Sequence, residues 1–393
     1  MKFPRATLLV AILLAGAWIV EAMRPTAAMP PFAQAYGMDC QVCHTVVPML
    51  NAYGRYVQRT GYASLDPATI HHAVPLWIGE NPFYDSAYPN EPHAVQWGNL
   101  AVHGAGYLGN DFTFHLQQWI SSGDQPGPLD TAWITYNNLF HRDGHLFVGK
   151  IESPGPSPWS MFSDLAGFNT PEITVGEHAY LFDANRWGTK LAYTRAGFTA
   201  EVSYLGPTGD LTTSRGGGAF EWGNDANNPG GDKTVQWHVD DAVGYEPLEF
   251  GAYGGVGTFA TSDGMIDRYN GVAGYAEVDA TGGWPGAFVT YQRAHDGHPG
   301  PGLFPAASTA YTAEIWEPLV NNQLLISFRN EYQNDGLGTS AHFDYVSAAW
   351  FVAHHVSDRV ANGLIFNAQA SLLNGPPSWQ YQLWYATTIG ALH

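Results

Sequence analysis

From residue 94 onward the chain runs in stretches of alternating apolar and polar residues, and this alternation narrows its possible folds more than any other feature. Phe112, Phe114 and Leu116 alternate with Thr113, His115 and Gln117. Phe198, Ala200, Val202 and Tyr204 alternate with Thr199, Glu201 and Ser203. Val235, Trp237 and Val239 alternate with Gln236, His238 and Asp240, and Leu324, Ile326 and Phe328 with Leu325, Ser327 and Arg329. The last such stretch sets Trp379, Tyr381, Leu383 and Tyr385 against Gln380, Gln382 and Trp384. A period of two with one apolar and one polar face is the pattern of a half-buried strand. Roughly fifteen such runs occur, most near the ~9–11 residues that span an outer membrane.

Alternation does not say which face is inside. A soluble sandwich turns its polar face to water and interdigitates the apolar one. An outer-membrane barrel turns the apolar face to lipid and the polar face to its lumen. Composition leaves both open. Charged residues are 13% of the chain, below the usual ~25%, while it holds 14 Trp, 21 Tyr and 45 Gly at a mean hydropathy of −0.17. Trp187, Trp284, Trp316, Trp350 and Trp379 lie near strand ends, where aromatic girdles would be, though tryptophan also packs into soluble β cores. Gly- and Pro-rich connections fall at 153–158, 206–232 and 294–307.

The net charge of −19 argues against nucleic acid, whose phosphates need Lys and Arg clusters. Asp240, Asp241, Glu246 and Glu249 form a local acidic group, read as a weak cation site at a mouth or as solvated turn chemistry. No Ser-His-Asp order, nucleophile elbow or His-Glu-x-x-His run supports hydrolase chemistry. Lys2 and Arg5, then the apolar run Leu8 to Val20, read as a secretory signal, with cleavage after Ala22 or Ala28, and a retained signal anchor is the competing reading.

Cys40 and Cys43 are the only cysteines, and His44 follows at once. Cys-x-x-Cys-His is the attachment run of a c-type haem, whose two thiols add to the porphyrin vinyl groups while the histidine binds iron. A structural zinc site would need further Cys or His ligands, and a thioredoxin-like motif a βαβ context. Asp39 is the expected N-cap of a short helix carrying Cys40, Cys43 and His44. Beyond Pro48, the residues Leu50, Tyr53, Tyr56 and Val57 recur at helical spacing, and Gly61 is placed to end that helix. Some thirty residues cannot enclose a haem alone, so the segment is expected to pack into the larger C-terminal domain.

Across this segment, Phe32-Ala33, Gly37, Cys40, Cys43-His44, Pro48, Leu50-Asn51, Tyr53-Gly54-Arg55 and Gly61-Tyr62 resemble the fused outer-membrane monohaem cytochrome–porins of iron-oxidising bacteria. The resemblance implies an all-β fold, an outer-membrane antiparallel barrel behind a short α-helical haem segment, and the count of runs, closing on an even number, makes it about 14–16 strands. The residue patterns divide the chain into a signal peptide (1–28), a haem segment (29–64), a linker (65–93) and a barrel (94–393). The resemblance further implies one covalent haem c held by Cys40, Cys43 and His44, and electron transfer across the outer membrane. The donor would be extracellular, such as Fe(II), and the acceptors periplasmic c-type cytochromes, the activity of an iron:cytochrome c oxidoreductase. The haem segment would enter from the periplasmic side. In the family pattern Arg55 is expected to pair with a haem propionate, or else to be a solvated cation at the helix end. His71 and His72 are candidate distal iron ligands; His103, His115, Met161 or an open, water-bound site are the alternatives. The rival reading is a soluble periplasmic β-rich haem protein with a sensing or structural role.

Overall fold

The structure, a computed structural model, describes residues 36, 38, 42–46, 49–65, 76–80, 83–85, 95–96, 100–122, 125–127, 129–152, 155–156, 173–180, 185–206, 233–242, 247–280, 283–320, 324–356, 360–371 and 378–390. Short strands β1 (His44–Val46) and β2 (Met49–Leu50) precede helix α1 (Ala52–Arg59). There follow β3 (Leu76–Glu80), β4 (Phe83–Asp85), β5 (Val95–Gln96), β6 (Leu100–Tyr107), β7 (Phe112–Trp119), β8 (Ser121–Ser122), β9 (Gln125–Pro126), β10 (Leu129–Leu139) and β11 (Gly144–Ile151). Next come β12 (Ile173–Val175), β13 (His178–Tyr180), β14 (Arg186–Arg195), β15 (Phe198–Leu205), β16 (Lys233–Ala242), β17 (Leu248–Ala260) and β18 (Ile266–Val278). The chain ends with β19 (Gly286–Asp296), β20 (Ala306–Leu319), β21 (Leu324–Asn334), β22 (Ser340–Val356), β23 (Val360–Ser371) and β24 (Ser378–Gly390).

All but β1, β2, β8, β9, β12 and β13 join one closed antiparallel barrel. The last strand closes on the first: Gly390 faces Trp77 and Gln382 faces Asp85. Because β3 and β4 both pair with β24, they are two pieces of one stave; β5 and β6 face them as the two pieces of the next. The wall therefore has sixteen staves, within the range expected and even, as a single chain with both ends on one side requires. The barrel begins at Leu76, which corrects the expectation that 65–93 is linker and that the wall starts at 94.

The direction of the alternation is now decided. On β15, Thr199, Glu201 and Ser203 are buried while Phe198, Val202 and Tyr204 are exposed. On β16, Thr234, Gln236, His238 and Asp240 are buried and Val235 and Val239 exposed; on β21, Ser327 and Arg329 are buried and Ile326 and Phe328 exposed. Polar residues point inward and apolar ones outward, the reverse of a soluble core. Trp284 stands 76% exposed near a barrel end, as a girdle residue would, but Trp316 is buried on the inner face beside Glu314, so it is not part of a girdle. The side chain of Trp379 lies outside the described residues.

The two longest intervals between staves, 152–185 and 206–232, leave the same end of the barrel. Short turns join the staves at the other end, where Leu76 enters and Gly390 finishes.

Candidate functional site: the lumenal segment

Helix α1 lies inside the barrel, and local chemistry sets its limits. Asn51 is its N-cap, with the side-chain oxygen accepting from the Gly54 amide at 2.9 Å. At the other end, the Gly61 amide donates to the Gln58 carbonyl and the Tyr62 amide to the Val57 carbonyl, both at 2.9 Å. Gly61 takes φ +54° there, the left-handed turn that ends helices most cheaply with glycine. An eight-residue helix has little stability of its own, so the docking contacts must hold it.

One set of contacts is electrostatic. Arg55 and Arg59, four residues apart, share a face of α1. Arg55 is 1% exposed; its Nε donates to Glu249 at 2.9 Å and its Nη1 to Glu277 at 3.0 Å and Asp279 at 2.9 Å. Arg59 meets Asp240 at 3.1 Å and Glu249 at 2.7 Å. The Ala52 amide also donates to Asp279 at 2.9 Å. The acidic wall continues the network: Asp240 faces His238, His238 faces Glu201, and Glu201 faces Lys190. Burial works against the charge on both arginines, but Glu277, Glu249 and Asp279 around Arg55, and Asp240 and Glu249 around Arg59, hold each guanidinium protonated above its ordinary range.

These contacts revise two expectations. Arg55 is engaged by barrel carboxylates rather than aimed at a propionate; three acidic side chains and the Leu50 carbonyl occupy its donors. The acidic group around residue 240 is not an open mouth site: Asp240 and Glu249 are buried against the arginines, while Asp241 faces outward. Glu246 lies outside the described residues. The roles of Arg59, Glu277 and Asp279 escaped the sequence reading. The i, i+4 spacing of two arginines on a helix too short to stand alone was the available signal.

The second set of contacts is aromatic. Tyr62 stacks on Trp133 at 5.4 Å and meets His115 edge-on at 5.8 Å; Trp133 in turn meets Phe147 at 5.2 Å. Val57, Leu65 and Tyr36 complete this buried cluster with inward residues of β6, β11, β14 and β15. Tyr107 fastens the exit of the segment by donating to the Leu65 carbonyl, and Thr113 donates to the Gly61 carbonyl at 2.5 Å.

The motif residues hang from this docked helix. Cys43, half-buried, packs against the aromatic cluster beside Tyr53 and Met38. Its carbonyl accepts from the Asn51 amide at 3.0 Å, and Asn51 Nδ2 donates to the Val42 carbonyl at 3.2 Å. A methyl at Gly54 would collide with the same Cys43 carbonyl, so helix and motif touch backbone to backbone. His44 opens β1 and pairs with Leu50 on β2, so the expected helix does not extend through His44, which stands in a short hairpin. Cys40, Asp39, His71, His72 and Met161 lie outside the described residues. Burial pushes the Cys43 thiol up to about 11, which keeps it neutral.

These surroundings fit a c-type haem. Next to Cys43 the lining is apolar and aromatic, as a porphyrin edge requires. In the same cluster, His115 is 5% exposed with Nε2 unpartnered, and its Nδ1 lies 3.5 Å from Thr131 Oγ1. His145 likewise leaves Nε2 bare while Nδ1 meets Asn137 at 2.9 Å. A buried imidazole anchored through one nitrogen with the other bare has the arrangement of a metal ligand. His103 also lines the lumen, edge-on to Trp119 at 6.3 Å.

A closed, even-staved, inside-out wall with a segment folded into its lumen defines a β-barrel of the outer-membrane porin type. Solved structures share that fold. A loop-L8 deletion variant of OmpT, an outer membrane protein of Vibrio cholerae, superposes with a TM-score of 0.51 at 11% identity, covering 81% of this chain and 99% of its own. An anion-selective porin from Comamonas acidovorans does so with a TM-score of 0.51 at 13% identity, over the same shares of the two chains. No protein-family model matches the sequence, and no curated protein does.

Proposed function

We propose that this protein is an outer-membrane cytochrome, a barrel that carries one covalent haem c in its lumen and moves electrons across the membrane. The observation that supports the reading most is the place of Cys43: inside the barrel, braced by Asn51 and Gly54 of a helix that is itself bolted to the wall through Arg55 and Arg59. Cys40 and Cys43 would hold the haem and His44 would bind its iron, with His115 first among distal candidates because its Nε2 is buried and unpartnered. The haem supplies a one-electron carrier. The chain keeps that carrier in a lumen into which α1 is packed, between the carboxylates that hold Arg55 and the cluster that takes Val57, which suits conduction of electrons better than free passage of solutes.

Electrons would come from an extracellular donor such as Fe(II) and leave to periplasmic c-type cytochromes, the short-turn end with α1 facing the periplasm. The outward apolar wall counts against a soluble periplasmic protein. Stopped-flow mixing of the purified haem protein with Fe(II) tests the reading. Reduction of the haem at a rate that rises with Fe(II) supports it; an oxidised spectrum unchanged over minutes refutes the donor. Haem staining of a denaturing gel tests the attachment: Cys40→Ala with Cys43→Ala must abolish the stain.

A further inference from the structure

The long-connection end of the barrel holds a second group of buried ligating side chains, away from α1. His178 of β13, Asp267 at the start of β18 and Asp296 at the end of β19 bring one ligand atom each within 4.8 Å of one another. Asp267 and Asp296 are 0% exposed and His178 is 3% exposed. The interval 152–185 delivers the histidine. Its β12–β13 hairpin is clipped to the barrel end by the Glu177 amide, which donates to the Pro299 carbonyl at 2.8 Å, and by the Glu177 carboxylate, which accepts from the Ser262 amide at 2.7 Å.

We infer that His178, Asp267 and Asp296 form a binding site for a divalent first-row metal cation, of the class of Mn(II), Fe(II) and Zn(II). Two buried carboxylates side by side repel each other when both are ionised, and otherwise must share a proton; a cation between them meets both demands. Among the described residues, Asp267 makes no ion pair with Lys or Arg. Its Oδ1 accepts from the Gly297 amide at 2.8 Å and the His298 amide at 2.7 Å, which fixes the carboxylate, while its Oδ2 is buried without a partner. That is the form of a metal ligand held by its outer oxygen contacts. His178 Nδ1 lies 2.7 Å from Asp296 Oδ1, and the ring is fixed between Tyr269 at 4.1 Å and Phe259 at 5.3 Å. Ligand atoms around one such ion stand roughly 3–4 Å apart at metal–ligand distances near 2.1 Å, so Asp267 needs to close only slightly while Asp296 exchanges its hydrogen bond with His178 Nδ1 for the ion. One imidazole with two carboxylates selects borderline and hard divalent ions over soft thiolate-seeking ones. The inference stands on this geometry and is independent of the electron-transfer reading.

The test uses the full-length protein in detergent, stripped with EDTA and dialysed against Zn(II) or Mn(II), with bound metal counted by mass spectrometry apart from haem iron. One equivalent is expected. Asp267→Asn and His178→Ala should each weaken binding at least about tenfold, and Asp111→Asn, at the opposite end, should not. Heat-modifiable gel migration reports whether each variant is folded. The inference is overturned if the native protein binds no metal above the Asp267→Asn level. In that case the His178–Asp296 contact is a structural hydrogen bond only, and Asp267→Asn folds and melts with unchanged response to added metal.

Discussion

Arg55 Nε and Glu249 Oε2 meet at 2.9 Å across 194 residues of sequence, and through that pair the N-terminal segment is joined to the barrel wall. Both side chains are buried, and Glu249 is shared with Arg59. Removing either arginine strands acidic groups in a low-dielectric interior.

Arg55→Leu should release α1 from the wall while the wall itself survives. Breaking one partner of a buried ion pair costs about 3–5 kcal/mol, far above what an eight-residue helix can supply itself. Limited proteolysis should cut between residues 36 and 65 in the variant and not in the native protein, with heat-modifiable migration retained in both. Arg55→Lys should rescue only in part, because an ammonium cannot reach Glu249, Glu277 and Asp279 in the same fork. A native cleavage pattern for Arg55→Leu would show that the wall carboxylates do not hold the segment.

Gly54→Ala should impair haem loading without touching Cys40, Cys43 or His44. The added methyl has no space against the Cys43 carbonyl, so α1 and the motif must part. Haem stain per unit of protein is expected to fall several-fold, and stain equal to the native protein would remove this contact from the assembly of the site.

Trp133→Ala should loosen the other side of the segment. It deletes the ring on which Tyr62 stacks and leaves a cavity beside Phe147 and His115. Large-to-small changes of this kind cost about 3–5 kcal/mol. The segment should become protease-sensitive at lower denaturant than in the native protein, whereas Trp284→Ala, on the exposed rim, should leave that midpoint in place.

Haem-free protein should show a slow thiol. Cys43 is pushed from its ordinary 9.0 to about 11 by burial, so in the docked segment it stays neutral where an unfolded thiol ionises. The raised value favours docking fully below pH 9, and that contribution is lost as pH rises through 11. In a Cys40→Ala variant made without haem, alkylation near pH 8.5 should be several-fold slower in the folded protein than in denaturant. Equal rates would place the thiol in water.

If His115 is the distal ligand, His115→Ala should change the low-spin resonance signal of the oxidised haem, and His71→Ala and His72→Ala should not. A signal unchanged in the first and altered in either of the others would return the role to the His71-His72 pair.

Most of this chain could be read from sequence alone as alternating strand, numerous enough to close on itself, and Cys40, Cys43 and His44 stand at the spacing from which the proposed haem attachment is argued. These are local properties: a period of two and a fixed spacing survive without any knowledge of partners. The sequence also placed the end of α1 at Gly61, because a left-handed turn residue is a local demand. It did not determine which face of the strands looked inward, since Val202 and Glu201 alternate in the same way in a sandwich and in a barrel. Only closure of β24 on β3 and β4 turned Glu201 into the lumen and Val202 outward. Nor did the sequence reveal that residues 76–85 are the first stave, because that strand is identified by its partner rather than its pattern. The tertiary structure alone gave Arg55 its partners: Glu249 and Glu277 on β17 and β18 and Asp279 just past β18 stand 194 to 224 residues away, and a charge shows its role only when the fold removes the water around it.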